Sequence, residues 1–290
     1  MPLILVPTPL GHLQDITLRA LAVLRQATLI VAEDTRVTRK LLSAHEILAH
    51  EIATYNEYTS PAGVDAILAR ASSEVVVLVS DAGMPGVCDP GSVLVQQARE
   101  RSIAVEVLPG PTAFIAAAVL SGFPLLGMSF EGFVPRGAGA KWTAIEAVLA
   151  RQATSVWYET PHRVSETLGV LAEFAPTLPV FLLREYTKRF EQQVLGSAEQ
   201  VLAALPQPVR GEFVLVLDGR SFQRATLSVD EVDQQIDQLL ADGRPPTIIA
   251  KRLAKLGLGS RNELYRRACE RGKPDSDAEN ALACRRKPPL

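Results

Sequence analysis

Through its first 120 residues the chain alternates short apolar runs, many of them β-branched, with longer stretches in which apolar positions recur at helical spacing. The runs at 3–6, 28–32, 75–79 and 104–108 predict buried strands. Between them, 15–26, 35–44, 60–71 and 91–101 predict helices, with Asp15, Ser60 and Ser92 as caps or first-turn residues. Strands and helices in strict alternation predict a mostly parallel sheet flanked by helices.

A small-residue helix at 113–120 and the break Gly122-Phe123-Pro124 close this half. Strands are then predicted at 129–134, 154–158, 180–183, 192–195 and 213–217. Only a short charged segment separates the third of these from the fourth, which predicts a hairpin and a mixed sheet. From Ser228 the pattern is purely helical, at 230–241, 247–256 and 260–270, with Gly-containing turns between. Three short helices so joined resemble a helix-turn-helix unit. The expected fold class is α/β: an α/β domain over 1–120, a second over 121–225, a small helical domain over 226–273, and a disordered tail over 274–290.

Composition changes this picture little. At 290 residues, 47% hydrophobic and 21% charged, the chain has room for two globular domains and an appendage. No apolar run reaches membrane-spanning length, and Met1-Pro2-Leu3-Ile4 lacks the basic flank of a signal peptide, so a cytoplasmic protein without membrane contact is expected. Cys88, Cys269 and Cys284 show no C-x-x-C spacing and the four histidines are scattered, so neither a disulfide framework nor a metal site is predicted. The net charge of −2 excludes a uniformly basic nucleic-acid binder but not a basic patch. Residues 244–273 hold nine Lys and Arg, among them Lys251, Arg252 and Lys255, against two acids. Such a density reads either as a solvated helical face or as a phosphate-contacting surface.

Candidate chemistry concentrates after the predicted strand at 75–79, in Ser80-Asp81-Ala82-Gly83-Met84-Pro85-Gly86-Val87-Cys88-Asp89-Pro90-Gly91. Gly and Pro at this density let main-chain groups approach a ligand closely. The loop can be a tight strand-to-helix connection or one wall of a ligand pocket at the carboxyl end of a parallel strand; its length and its two aspartates favour the second. A second cluster, Glu33-Asp34-Thr35-Arg36-Val37-Thr38-Arg39-Lys40, follows a strand and opens a helix at the same end of the sheet. It reads either as an ordinary capped helix start or as substrate contact, and its position favours the latter: Arg36, Arg39 and Lys40 become candidate phosphate ligands, Glu33 and Asp34 candidate acid-base groups.

The pattern S-D-A-G-x-P-G-x-x-D-P-G resembles the signature of the bacterial ribosomal RNA small-subunit methyltransferase I family, which belongs to the tetrapyrrole-methylase-like enzymes dependent on S-adenosylmethionine. Further matching segments recur in the family's order: Val6-Pro7-Thr8-Pro9-Leu10-Gly11, Ala32 to Lys40, Leu108-Pro109-Gly110-Pro111-Thr112-Ala113, Tyr158-Glu159-Thr160-Pro161-His162-Arg163, Arg184 to Glu191, and Gly211-Glu212-Phe213. The resemblance implies a methyl donor held between two α/β domains by Thr8, Pro9, Ser80, Asp81, Ala82, Gly83, Val87, Thr112, Ala113, Phe133, Glu159 and Thr160. Asp89, Gly86 and Gly91 are expected to shape turns instead. It raises Glu185, Thr187 and Lys188 above an ordinary hairpin tip, so that Glu33, Asp34, Glu185 and Lys188 are all candidates for the general base. The implied reaction is methylation of a cytidine ribose 2′-hydroxyl near the decoding centre of 16S ribosomal RNA in the small ribosomal subunit, by a homodimer.

One segment departs from the family. Where members carry a histidine-rich run, this chain has Tyr55-Asn56-Glu57-Tyr58-Thr59-Ser60, and His12 stands where they have Asn. A base or substrate contact in that region is therefore in doubt. Two other functions fit the residues: a methylase of the same fold acting on a tetrapyrrole or other small molecule, which would not need the basic C-terminal helices, and a non-enzymatic nucleic-acid-binding regulator.

Overall fold

The computed structural model describes residues 2–222, 228–256 and 258–272, the Lys255 side chain excepted. The chain forms two compact units, Met1–Phe222 and Gln223–Leu290.

The first unit opens with β1 (Leu3–Val6), α1 (Leu18–Gln26), β2 (Leu29–Ala32), α2 (Thr35–Ala44), β3 (Ile52–Thr54), α3 (Pro61–Ala71), β4 (Val76–Val79), α4 (Gly91–Glu100) and β5 (Val105–Val107). The strands form one parallel sheet in the order β3-β2-β4-β1-β5. Each residue of β1, β2 and β4 is buried, and the period of two divides them between two cores. Ile4, Val6, Ile30 and Val77 pack beneath α1 and α2, whereas Leu3, Leu5, Val31 and Leu78 pack with α3 and α4. This is why the strands read as continuous apolar runs.

Local chemistry corrects some sequence expectations. The first helix begins at Leu18, with Thr17 capping it by accepting from the Ala20 amide; Asp15 instead ends a short 3-10 turn, Leu13–Asp15. Ser60 caps α3 as expected, and Ser92 lies in the first turn of α4, behind Pro90. Strand β3 has no counterpart among the predicted strands: three residues at the sheet edge, only half covered, leave little apolar signal.

The second sheet is built from β6 (Ser129–Phe133), β7 (Thr154–Glu159), β8 (Val180–Arg184), β9 (Gln192–Gly196) and β10 (Phe213–Asp218), in the order β6-β7-β10-β8-β9. Only β6 and β7 run parallel; β8 and β9 form the expected hairpin, and the sheet is mixed. Helix α5 (Ala113–Ser121) lays Ala117 and Ala118 against Val156, Phe181 and Val214 on one face. Helices α6 (Ala138–Leu149), α7 (Val164–Phe174) and α8 (Ala198–Ala203) cover the other around Trp142, Trp157, Leu168 and Leu215.

The second unit contains α9 (Val229–Ala241), α10 (Pro246–Lys255) and α11 (Arg261–Arg271) around Val232, Ile236, Ile249, Leu253 and Leu264. Two of the basic residues counted toward a phosphate surface turn inward on α9: Arg267 holds Asp233 at 2.6 Å, and Arg271 pairs with Asp237. Lys251 is exposed and Arg252 half-buried. The Lys255 side chain, Lys273 and the tail 274–290 lie outside the described residues.

A candidate active site between the two sheets

The loops after β1, β4 and β5 fold onto one another at the carboxyl end of the parallel sheet. Thr8 and Gly83 exchange two main-chain hydrogen bonds of 2.9 and 3.0 Å, and Thr8 Oγ1 donates to the Ser80 carbonyl. Ser80 Oγ in turn donates to the Gly83 carbonyl, while Asp89 Oδ1 accepts from the Gly86 and Gly91 amides at 2.7 Å. Asp89 is thus a turn-former, and Gly86 at φ +88° adopts a backbone that side chains disfavour. At Gly110 a Cβ would stand 2.6 Å from Pro7 Cβ, so the loops after β1 and β5 touch backbone to ring.

Asp81 joins this loop to the one after β2, since its Oδ1 accepts from the Asp34 amide at 3.0 Å. Burial, with the negative charge of Asp34 beside it, raises the Asp81 carboxyl above its ordinary value. Glu33 is likewise raised, first by burial and then by Asp81, Asp89, Glu57 and Asp34. Asp34 behaves in the opposite sense: it caps α2 by accepting from the Arg36 amide and pairs with the Arg36 guanidinium at 2.6 Å, which lowers it to about 2. A carboxylate so held is a weak proton acceptor, and the structure gives Asp34 a capping role.

The charged segment after β8 faces these loops. Lys188 Nζ lies 3.1 Å from Glu185 Oε1 and 2.9 Å from Glu212 Oε2. Burial opposes the Lys188 charge, but the two carboxylates outweigh it and hold the ammonium protonated above its ordinary range. Burial also opposes the Glu185 charge, yet the Glu212 amide and Lys188 bring its carboxyl below the ordinary value. Two of the four sequence candidates for the base, Glu185 and Lys188, are therefore locked into an ion-paired brace. Glu185 and Thr187 carry positive φ, and Thr187 Oγ1 accepts from the His12 amide across to the loop after β1.

Between these elements lies a cavity of about 420 Å³. Eight of the twelve residues expected to hold a cofactor line it: Ser80, Asp81, Ala82, Val87, Ala113, Phe133, Glu159 and Thr160. Thr8 and Pro9 line a smaller adjoining cavity of about 150 Å³, which shares Ser80 and Asp81 with the larger and also reaches Lys40. Gly83 and Thr112 line neither; Gly83 stands behind the wall in the pairing with Thr8. Arg39 borders a separate hollow with Ser43 and Glu46, while Arg36 projects from α2, its side chain 84% exposed.

Glu159 reaches the cavity with its main chain only. Its fully buried carboxylate accepts from the Thr160 amide, the Thr167 hydroxyl and Arg163, whose Nη2 also donates to the Val134 carbonyl. Its role is to fix β7, α7 and the residue after β6 at one point. Cys88, Tyr158 and Glu212 line the cavity without having been singled out as site residues. Tyr158 is pushed up to about 12, chiefly by burial among Phe130, Phe133 and its neighbours. The signal for all three was present, because Cys88, Tyr158 and Glu212 fall inside motif segments that the sequence displays.

No helix among the described residues is long and apolar enough to cross a membrane, and no His, Cys, Asp and Glu cluster there could hold a metal ion.

Residues 2–202 match the family model described as tetrapyrrole (corrin/porphyrin) methylases. The chain is 34% identical to the ribosomal RNA small subunit methyltransferase I of Bacillus subtilis, over 96% of this chain and 93% of that one. It is 38% identical to the protein of the same name from Neisseria meningitidis serogroup B, over 91% of each. Among solved structures, a diphthine synthase superposes with a TM-score of 0.60 at 16% identity, covering 75% of this chain and 90% of that one. A uroporphyrin-III C-methyl transferase from Thermus thermophilus, complexed with S-adenosyl homocysteine, gives 0.54 at 19% identity, covering 77% and 100%.

Proposed function

The chain belongs to the tetrapyrrole methylase family and to the ribosomal RNA small subunit methyltransferase I family, and from that premise we propose that it transfers a methyl group from S-adenosylmethionine to small-subunit ribosomal RNA. The acceptor in this reading is the ribose 2′-hydroxyl of a cytidine near the decoding centre of 16S RNA, and the working form is a cytoplasmic homodimer.

The observation that supports it is the 420 Å³ cavity, walled by main-chain-rich loops of the first sheet and by the ends of β7 and β10. Its size suits a small organic ligand, for which sites of roughly 300–1,000 Å³ are usual. Its chemistry suits this donor: Val87, Ala113, Phe133 and Pro161 offer apolar surface for a heterocycle, and Glu33, Asp81 and Glu212 offer carboxylates to hydroxyls and cationic centres. When bound, S-adenosylmethionine supplies a methyl group made electrophilic by a positive sulfur.

The protein's own part is alignment and proton management. Fixing donor and acceptor in one geometry can lower the barrier by roughly 7–11 kcal/mol. The acceptor hydroxyl must also lose a proton, and a positioned base contributes about a hundred- to ten-thousand-fold. Glu33 and Asp81 line the cavity with their proton affinity raised by burial and neighbouring negative charge, so they are assigned to that proton. Glu185 and Lys188 brace the wall against Glu212. Arg36 and Arg39, with Lys251, Arg252 and Lys255 of the helical unit, are assigned to RNA phosphates.

The test is transfer of labelled methyl from S-adenosylmethionine to small ribosomal subunits from a strain lacking the modification, followed by mapping of the labelled nucleotide. Label at a cytidine 2′-oxygen is expected. Donor binding without incorporation into RNA would sink the reading.

A further inference from the structure

The smaller cavity beside the main one is distinct in its walls. It lies between the loop after β1 and the first turns of α2, and Pro9, Leu13, Val37 and Leu41 give it apolar sides. The hydroxyls nearest its back are already engaged: Thr8 Oγ1 donates to the Ser80 carbonyl and Thr38 Oγ1 to the Asp34 carbonyl. Two charged groups remain. Lys40 stands at one side and forms no ion pair among the described residues, and the Asp81 carboxylate stands on the wall shared with the larger cavity.

An apolar slot with a single cation suits a neutral flat ring that presents carbonyl oxygens on its edge. A phosphate fits poorly, because leucine and valine would strip its water and Asp81 would repel it. The volume of about 150 Å³ corresponds to the space of about five waters at roughly 30 Å³ each. That accommodates a one-ring base and leaves its sugar outside. RNA-modifying proteins commonly read bases that have left the helical stack, and chemistry on a buried nucleotide requires turning it out.

We propose that this smaller cavity is the acceptor-nucleotide subsite: it takes a single pyrimidine base turned out of the RNA and so sets that nucleotide's ribose against Asp81, on the wall facing the larger cavity. The proposal rests on the methyl-transfer reading above and adds where the acceptor is held. Lys40 then binds the base edge rather than a phosphate.

Leu13 and Val37 are 47% and 37% exposed, so a larger side chain can be placed there without entering a core. Leu13→Trp and Val37→Trp are to be compared with the wild type in three measurements. The first is calorimetric binding of S-adenosylmethionine, expected unchanged. The second is methyl transfer to unmodified small subunits, expected to fall on the order of a hundred-fold because the acceptor is displaced. The third is the fluorescence of an RNA hairpin carrying 2-aminopurine stacked beside the acceptor cytidine. The wild type should brighten it as the cytidine unstacks, and the tryptophan variants at positions 13 and 37 should bind it without brightening. Leu126→Trp, at a position 94% exposed and outside both cavities, should behave as wild type in all three.

Wild-type transfer rates in Leu13→Trp and Val37→Trp would overturn the subsite. Parallel loss of donor binding would overturn it too, by giving the cavity to the donor. Absence of brightening by the wild type overturns it whatever the transfer assay shows. Brightening that these two variants abolish, combined with no transfer by any of the proteins, would uphold the subsite and refute the reaction instead.

Discussion

Glu159 shows how a residue can matter to a site without offering it a side chain. Its carboxylate has no solvent exposure and ties Arg163, Thr167 and the Thr160 amide together. Glu159→Ala would leave Arg163 facing a buried gap, and a loss of about 3 kcal/mol or more in denaturant unfolding is expected. The sequence displays Glu159 inside a motif but not the direction of its side chain, because its partners become visible only once α7 packs beside β7. Lys141 was illegible for the same reason: it is fully buried, and Glu166, 25 residues on, meets its ammonium at 2.7 Å. Glu33 gives a pH-dependent prediction. Its folded-state carboxyl lies above the ordinary 4.5, so its contribution to stability is complete below that value and is lost as pH rises through the raised one. Glu33→Gln should therefore melt above wild type at neutral pH, with the difference closing near about pH 3, where both side chains are uncharged. A gap that widened on acidification would contradict this electrostatic account.

At the level of elements, the site consists of loops held by contacts with no room for a methyl group. Gly110→Ala would drive a Cβ to 2.6 Å from Pro7 Cβ, with a cost of about 1–3 kcal/mol for overpacking. Because the same two loops deliver Leu10 and Ala113 to the cavity, donor affinity measured by calorimetry should fall along with the melting temperature. The continuous apolar runs made β1, β2 and β4 legible, since strands buried on both faces leave an unmistakable pattern. The edge strand β3 buries too little to leave one, and the six-residue α8 has room for few periodic positions. Similarly, the charged segment at 184–191 announced chemistry, whereas its ion-paired brace depends on Glu212, 24 residues beyond Lys188. Sequence marks such a cluster but does not say which charges cancel.

For the whole molecule, the balance of −2 conceals a division of labour. Acids converge on the larger cavity, and exposed bases such as Lys251 lie in the helical unit. Phosphate contacts carry a salt signature, so Lys251→Ala should lower the slope of log affinity against log salt by about 1 in RNA binding titrations, while donor affinity stays at the wild-type value. An unaltered slope would remove Lys251 from the interface. The sequence showed the basic density but not that Arg267 and Arg271 would turn back onto α9, which only the packing of three helices reveals. Strand β10 bears on how the molecule is made. It sits between β7 and β8, yet it is the last strand of the sheet to be synthesised, and its first residues complete the cavity wall. A growing chain that has passed residue 196 still holds β7 apart from the β8-β9 hairpin, with no strand to bridge them. The wall of the larger cavity is therefore completed late in translation, only once the central strand has emerged.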